Sequence, residues 1–315
     1  MEGFAHYPAT REHKDKVFKD LFGSRENRQN AVDLYNALGG GPVNDPAELE
    51  ILTVDNAVYM GRRNDVSFVV GDELVLWEHQ STYSPNLPLR GLGYFAQLLG
   101  KLAGRDPSGL YGPTAVSLPT PRFAVFYAGE RERPEREIMR LSDLFAHGPG
   151  DVEVIATVYN INEGCNLSIM EACEALDGYS KLMALVREYS ASNGIDEAVD
   201  MAVRWCIDHG VLADYLQDRR SEVCAMIIDE YEDARQMQLL YNSVELQRKK
   251  GFEEGRQEGI KEGRREGRRE GIKEGRRETL AVLVAEGLLD AAIAAERLGV
   301  DESEITSAVT PLNNN

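Results

Sequence analysis

Apolar spacing along the chain separates a mixed front half from a helical back half. Residues 12–22 set Val17, Phe18, Leu21 and Phe22 on one helical stripe, which Gly23-Ser24 ends, and a second helix runs through Leu38 to the break at Gly39–Pro42. Residues 49–60 read as extended. They lead into two β-branched and aromatic runs on either side of Gly71-Asp72, which makes three consecutive strands. Residues 83–88 read as a loop broken at each proline, and 89–102 have helical spacing with Arg90, Lys101 and Arg105 as cations. A loop over 107–121 precedes an apolar strand at 123–128, and a further strand is expected at 152–159. The order α, β, β, β, α, β predicts a small α/β sandwich with a mixed sheet. From about Ser168 to Arg248 the pattern is helical throughout, with Leu182, Leu185, Val186 and then Val199, Val203, Cys206 and Ile207 as its stripes.

The region 251–278 has a period of four, with glycine at 251, 255, 259, 263, 267, 271 and 275 and glutamate before each from Glu254 onward. At about 1 kcal/mol per interior glycine, seven of them disfavour an isolated helix in water. Each glutamate repels its neighbours at i+4 and mostly finds a cation at i+3, so ion pairs add little. The expectation is a helix on association, otherwise a frayed charged spacer. Residues 279–286, 289–298 and 301–308, punctuated by Gly287 and Gly299, read as three short helices. With one arginine and six acids after residue 278, they suit a docking or oligomerisation module better than a reader of the DNA major groove.

With 315 residues there is enough chain for a substantial core and roughly two domains. No apolar run is long enough to span a bilayer, and the start lacks a basic segment followed by an apolar one, so the expectation is a cytoplasmic, soluble protein with no membrane partner. The four cysteines lack C-x-x-C spacing and read as buried free thiols. A net charge of −18 argues against a generally nucleic-acid-binding surface, but the charge is uneven. Residues 1–150 carry 16 basic and 20 acidic side chains, 151–250 carry 9 and 19, and 251–278 carry 9 and 8. Only the front segment and the repeat are balanced enough to face phosphates.

The hairpin carries the chemistry. If Gly71-Asp72 is a two-residue turn, facing residues sum to 143, and Asp65 lies opposite Glu78 with Gln80 next on the same face. Two carboxylates that close repel unless a cation lies between them, an arrangement that oxygen-seeking Mg²⁺ accepts. The alternative is a surface hairpin with its acids in water. Against it, both faces of the hairpin are apolar, with Val66, Phe68 and Val70 on one and Val69, Leu74 and Leu76 on the other, so the sheet should be covered on both sides. His79 points away from Glu78 and reads as a satisfied structural histidine.

Asp15-Lys-Val-Phe-Lys19-Asp-Leu-Phe, Arg63-Asn-Asp65, Glu78-His-Gln-Ser-Thr82, Asn86-Leu-Pro-Leu-Arg90 and Tyr94 occur in that order. In this combination the chain resembles the recombination-promoting nuclease/transposase family, a branch of the PD-(D/E)XK nucleases. The resemblance covers about residues 10–160, and the helical middle and Gly-Glu-Arg tail also resemble bacterial members. It implies a PD-(D/E)XK-type αβββαβ core over 1–160, followed by a helical region at 161–250, the repeat at 251–278 and a C-terminal helical module at 279–315.

The activity implied is Mg²⁺-dependent cleavage of DNA phosphodiesters, with Mn²⁺ as a substitute, by a homo-oligomer joined through its C-terminal helices. By position, Asp65 is the motif aspartate, Glu78-His79-Gln80 is an E-x-Q form of the (D/E)-x-K motif, and Asp15 is a helix acid that adds to the metal shell. Asp65, Glu78 and a carbonyl near His79 would hold the metal, and Gln80 would orient the attacking water. Gln80 brings no positive charge where the superfamily has lysine, which leaves Lys19 and Arg90 to supply charge or grip phosphate. The rival expectation is a nuclease fold of weak or no activity serving as an oligomeric interaction protein.

Overall fold

The computed structural model describes residues 16–52, 65–105, 111–301, 303 and 305. Within them the chain forms an α/β structure around a mixed sheet of six strands, followed by helices. Two short helices come first, α1 (Lys16–Gly23) and α2 (Arg28–Ala37), and then β1 (Glu50–Ile51), β2 (Val66–Val70) and β3 (Glu73–Gln80). Helix α3 (Leu87–Ala103) crosses over to β4 (Thr120–Tyr127), which is followed by β5 (Arg136–Arg140) and β6 (Ile155–Asn160). The strands lie side by side as β1-β2-β3-β4-β6-β5, with β3, β4 and β6 parallel in the middle and antiparallel pairs at both margins.

Both faces of the sheet are covered, as the two apolar faces of the hairpin require. On one face Val66, Phe68, Val70, Val75 and Trp77 join Val17, Phe18, Leu21 and Phe22 of α1 and the stripe of α2. On the other, Leu74, Leu76, Phe123, Val125 and Val158 pack under Leu87, Tyr94, Phe95 and Leu98 of α3. Gly91 is what lets α3 come so close, because a Cβ there would stand 2.5 Å from the ring of Phe123.

Two features depart from the sequence reading, and a third expectation lies largely outside the described residues. Pro88 does not break the chain; it sits in the first turn of α3, where its missing N–H would have had no helical partner. Strand β5 was not expected: of its five residues only Met139 is buried, so a charged edge strand left little apolar signal. The expected strand at 49–60 is described only as far as Leu52, and the rest lies outside the described residues.

After β6 come α4 (Leu167–Ala172), α5 (Glu174–Ser190), α6 (Ile195–Asp208), α7 (Ala213–Ala285) and α8 (Ala291–Leu298). Compact units span Met1–Met237 and Gln238–Asn315. In the first, Leu176, Tyr179, Leu182, Val186, Val199, Val203 and Cys206 continue the cluster that α1 and α2 make on the sheet. The start of α7 is tied to α1: Tyr215 donates to Asp20 at 2.8 Å, and Arg219, where the helix kinks, pairs with the same carboxylate. Burial together with Asp20 pushes the Tyr215 hydroxyl well above the usual tyrosine range. Cys173 and Cys206 are buried free thiols, and burial raises them to about 12 and about 11. Cys165 and Cys224 are half-buried.

In the second unit the repeat is helical, as part of α7, and the expected first short helix is the end of α7. Ala294, Ala295 and Ile305 pack with Leu280, Val284, Leu289 and Leu298 to hold the end together. Asp290 caps α8 by accepting from the Ala292 N–H at 2.9 Å. The third short helix, expected over 301–308, lies largely outside the described residues.

Gly91→Ala should destabilise the protein by about 1–3 kcal/mol through the clash with Phe123, read as a lowered urea midpoint; an unchanged midpoint would mean that α3 can move away freely. Replacing Gly263 and Gly267 by alanine meets open space, so far-ultraviolet dichroism should show higher helicity on warming, by about 1 kcal/mol of helix propensity per site.

Candidate active site

The hairpin register sets the site. Val70 faces Glu73 across Gly71-Asp72, with Gly71 at φ 52°, and the ladder runs back to Val66 facing Trp77. One step further, Asp65 comes beside Glu78. Both acids are buried, at 6% and 1% exposure. Asp65 Oδ2 accepts the His79 N–H at 2.8 Å, so the carboxylate takes over at the point where the ladder ends.

Glu78 meets α3. Arg90, in the first turns of that helix, donates from Nη2 to Glu78 Oε2 at 2.8 Å and from Nη1 to Gln80 Oε1 at 3.3 Å. Gln80 Nε2 donates to the His79 carbonyl at 2.8 Å and more weakly to Glu78 Oε2 at 3.4 Å. Tyr94, four residues after Arg90 and so on the same helix face, is buried beside it. Burial works against the Arg90 charge, but Glu78, Tyr94 and Asp65 outweigh it and raise the guanidinium above its ordinary value. Burial first and Glu78 second push the Tyr94 phenol above the usual tyrosine range, which keeps it neutral.

His79 faces the opposite side, as its alternation with Glu78 requires. Its Nε2 and the Tyr179 hydroxyl of α5 are 3.0 Å apart, and its ring packs on Phe18 at 5.3 Å. The peptide on either side of this one residue holds Asp65 and Gln80, while its ring is fixed by the helical region. A second tie lies close by, where Arg187 of α5 donates to the Ala128 carbonyl at 2.7 Å, just past the end of β4.

The cluster lies at the carboxyl ends of the parallel strands, where Gln80, Tyr127 and Asn160 stand in one row across β3, β4 and β6. Open α/β sheets commonly bind ligands at this end. Of the residues singled out in the sequence, Asp65, Glu78, Gln80 and Arg90 come together here. Lys19 is exposed on α1, and its Cγ and the Asp65 carbonyl both lie within 4 Å of the position a Cβ on Gly23 would take, so it flanks the strand end from the other face. Asp15 lies outside the described residues. Sequence reasoning gave no role to Tyr94 or Tyr179; the i, i+4 spacing of Arg90 and Tyr94 was the available signal for the first, and no local pattern marks the second.

The donors suit a hard cation. Two carboxylates lie buried side by side, and the oxygens of Gln80 and the His79 carbonyl stand next to them, the hard donor chemistry that Mg²⁺ selects. Among the described residues no third His, Cys, Asp or Glu joins them, which is compatible with an ion that uses one or two carboxylates and keeps several waters. The His79 carbonyl, expected as a further ligand, is engaged by Gln80. Comparison with known protein families, with curated proteins and with solved structures matched none of them.

Tyr179→Phe removes one member of a buried hydrogen bond and should cost about 1–3 kcal/mol in a urea titration. A smaller loss would mean that the ring of His79 is held by packing alone.

Proposed function

We propose that this chain is a Mg²⁺-dependent DNA endonuclease of the PD-(D/E)XK type, making strand breaks that promote recombination, as its motifs suggest. The observation that carries this reading is the convergence of Asp65, Glu78, Gln80 and Arg90 in one buried cluster at the carboxyl end of the parallel strands. Apart from the additional helix α2, the order of helices and strands from α1 to β4, with the acids on a hairpin and a crossover helix behind it, is also the order that nuclease superfamily uses.

Asp65 and Glu78 would hold the ion, with water completing its shell. When bound, such an ion would supply Lewis-acid stabilisation of phosphate charge and a more acidic water. The chain's own groups do the rest. Gln80 has an amide that can orient a nucleophile by hydrogen bonding, and Arg90 supplies the positive charge that Gln80 lacks. Lys19, exposed beside the Asp65 strand end, is placed to meet a phosphate backbone from the other side. The C-terminal helices are the candidate homo-oligomer contact.

A second reading is favoured by one observation: Glu78 already has a counter-ion in Arg90, as a purely structural pair would. On that reading the chain is an inactive nuclease fold acting as an oligomeric interaction protein.

Nicking of supercoiled plasmid in Mg²⁺ or Mn²⁺ separates the two. The wild type should cleave, and Asp65→Ala, Glu78→Ala and the isosteric Glu78→Gln should each lose about 100-fold or more. Folded wild type that nicks no faster than the three variants would transfer the assignment to the interaction protein.

A further inference from the structure

Arg90 is half-buried in a cluster whose acids are sealed. Its side chain is 21% exposed, against 2% for that of Glu78. It therefore stands between the acids and the direction from which a substrate must come. Its donors are not used up, since the buried Nε has no acceptor among the described residues. A guanidinium has five N–H groups in a planar fork that matches two oxygens of a phosphate as well as it matches a carboxylate.

A divalent cation on Asp65 and Glu78 would change the charge balance. Two carboxylates with one guanidinium carry one net negative charge; with a divalent ion added they carry one net positive charge. Arg90 and that ion would compete for the same Glu78 carboxylate, and like charges a few ångströms apart in a buried site repel strongly. The side chain can yield without moving the helix, because Gly91 seats α3 against Phe123. Tyr94 lies beside the guanidinium where it meets Glu78, one turn further on.

We propose that Arg90 is the resident counter-ion of Glu78, that a divalent cation displaces it from this carboxylate, and that the displaced guanidinium takes a phosphodiester oxygen of the substrate. This rests on the nuclease reading and adds to it an order of events: Arg90 gives up Glu78 before it engages phosphate. It also gives the protein an ion pair that keeps Glu78 neutralised and in place before metal arrives.

The test is Mn²⁺ titration calorimetry on the full chain without DNA, beside plasmid nicking. Arg90→Gln should bind Mn²⁺ roughly tenfold more tightly than the wild type, because the competing charge is gone, and yet nick about 100-fold more slowly. Tyr94→Phe, which keeps every charge and removes the hydroxyl beside the guanidinium, should tighten Mn²⁺ binding by about threefold. It serves as the deciding variant should Arg90→Gln fail to fold. Unchanged or weaker Mn²⁺ binding in these variants, with binding still lost in Asp65→Ala and Glu78→Ala, overturns the displacement and leaves the nuclease reading intact. Tighter binding with undiminished nicking overturns the delivery to phosphate. No Mn²⁺ binding in either the wild type or Arg90→Gln overturns both readings together.

Discussion

Everything at the candidate site depends on the register of one hairpin. Side chains alternate along a strand, so a slip of one residue between β2 and β3 would turn Asp65 and Glu78 to opposite faces. Apolar patterning cannot prevent that slip here, because both faces of the hairpin are apolar and buried. The two-residue turn does the work, helped by two side-chain constraints. The Phe68 and Trp77 rings meet edge-to-face at 4.9 Å on one face, and on the other the Ser67 hydroxyl donates to the Leu52 carbonyl at 2.8 Å. A slipped strand would leave a buried serine hydroxyl and two buried carboxylates to find new partners, each at a cost of kilocalories.

The second dependence runs through the sheet rather than along it. His79 holds Asp65 and Gln80 on its backbone side and Tyr179 on its ring side, so the helices after β6 reach the strand that bears Glu78 and Gln80. Arg187 adds a bond to the end of β4 from the same helix, α5. Phe18, packed against both His79 and Tyr179, brings α1 into the same arrangement. The helical region is thus more than an appendage of the sheet: within the first compact unit its apolar stripes and the underside of the hairpin form one cluster.

The legible parts of the sequence were those governed by local rules. Turn chemistry gave the hairpin and its register, period-two alternation gave the faces, and helical spacing gave α1 and α3 to within a few residues. Asp65, Glu78 and Gln80 followed from that arithmetic, and the spread of apolar stripes foretold the helices from α4 onward. What stayed hidden depends on partners distant in the chain. The Tyr179 to His79 contact spans 100 residues, and nothing near Tyr179 distinguishes it from an ordinary core aromatic. Strand β5 forms because β6 offers it an edge, its own composition being mostly charged. Arg90 was recognisable as a cation near the acids, but its fork between Glu78 and Gln80 required the height at which α3 rests on Phe123, which is set by the absence of a side chain at Gly91.

The repeat in α7 poses the opposite problem, a regular sequence whose regularity does not match its helix. A period of four advances about 40° beyond a full turn at each step, so the glycine row winds around the helix instead of forming one face. The glutamates and arginines wind with it, and no side of the segment is apolar enough to seek a core. Each of the seven glycines has open space where its side chain would be. The segment is held as helix by the strong formers between them and by short ion pairs such as Arg256 with Glu253 at 2.7 Å, while each glycine weakens it. A straight partner helix could meet only two or three successive glycines before the row turned away, which favours a crossing contact over one that runs the length of the repeat. If the C-terminal helices do join copies of this chain, the apolar cluster of Leu280, Val284 and α8 is therefore a better place for a defined contact than the glycine row, since among the described residues of the second unit the buried apolar cluster lies there.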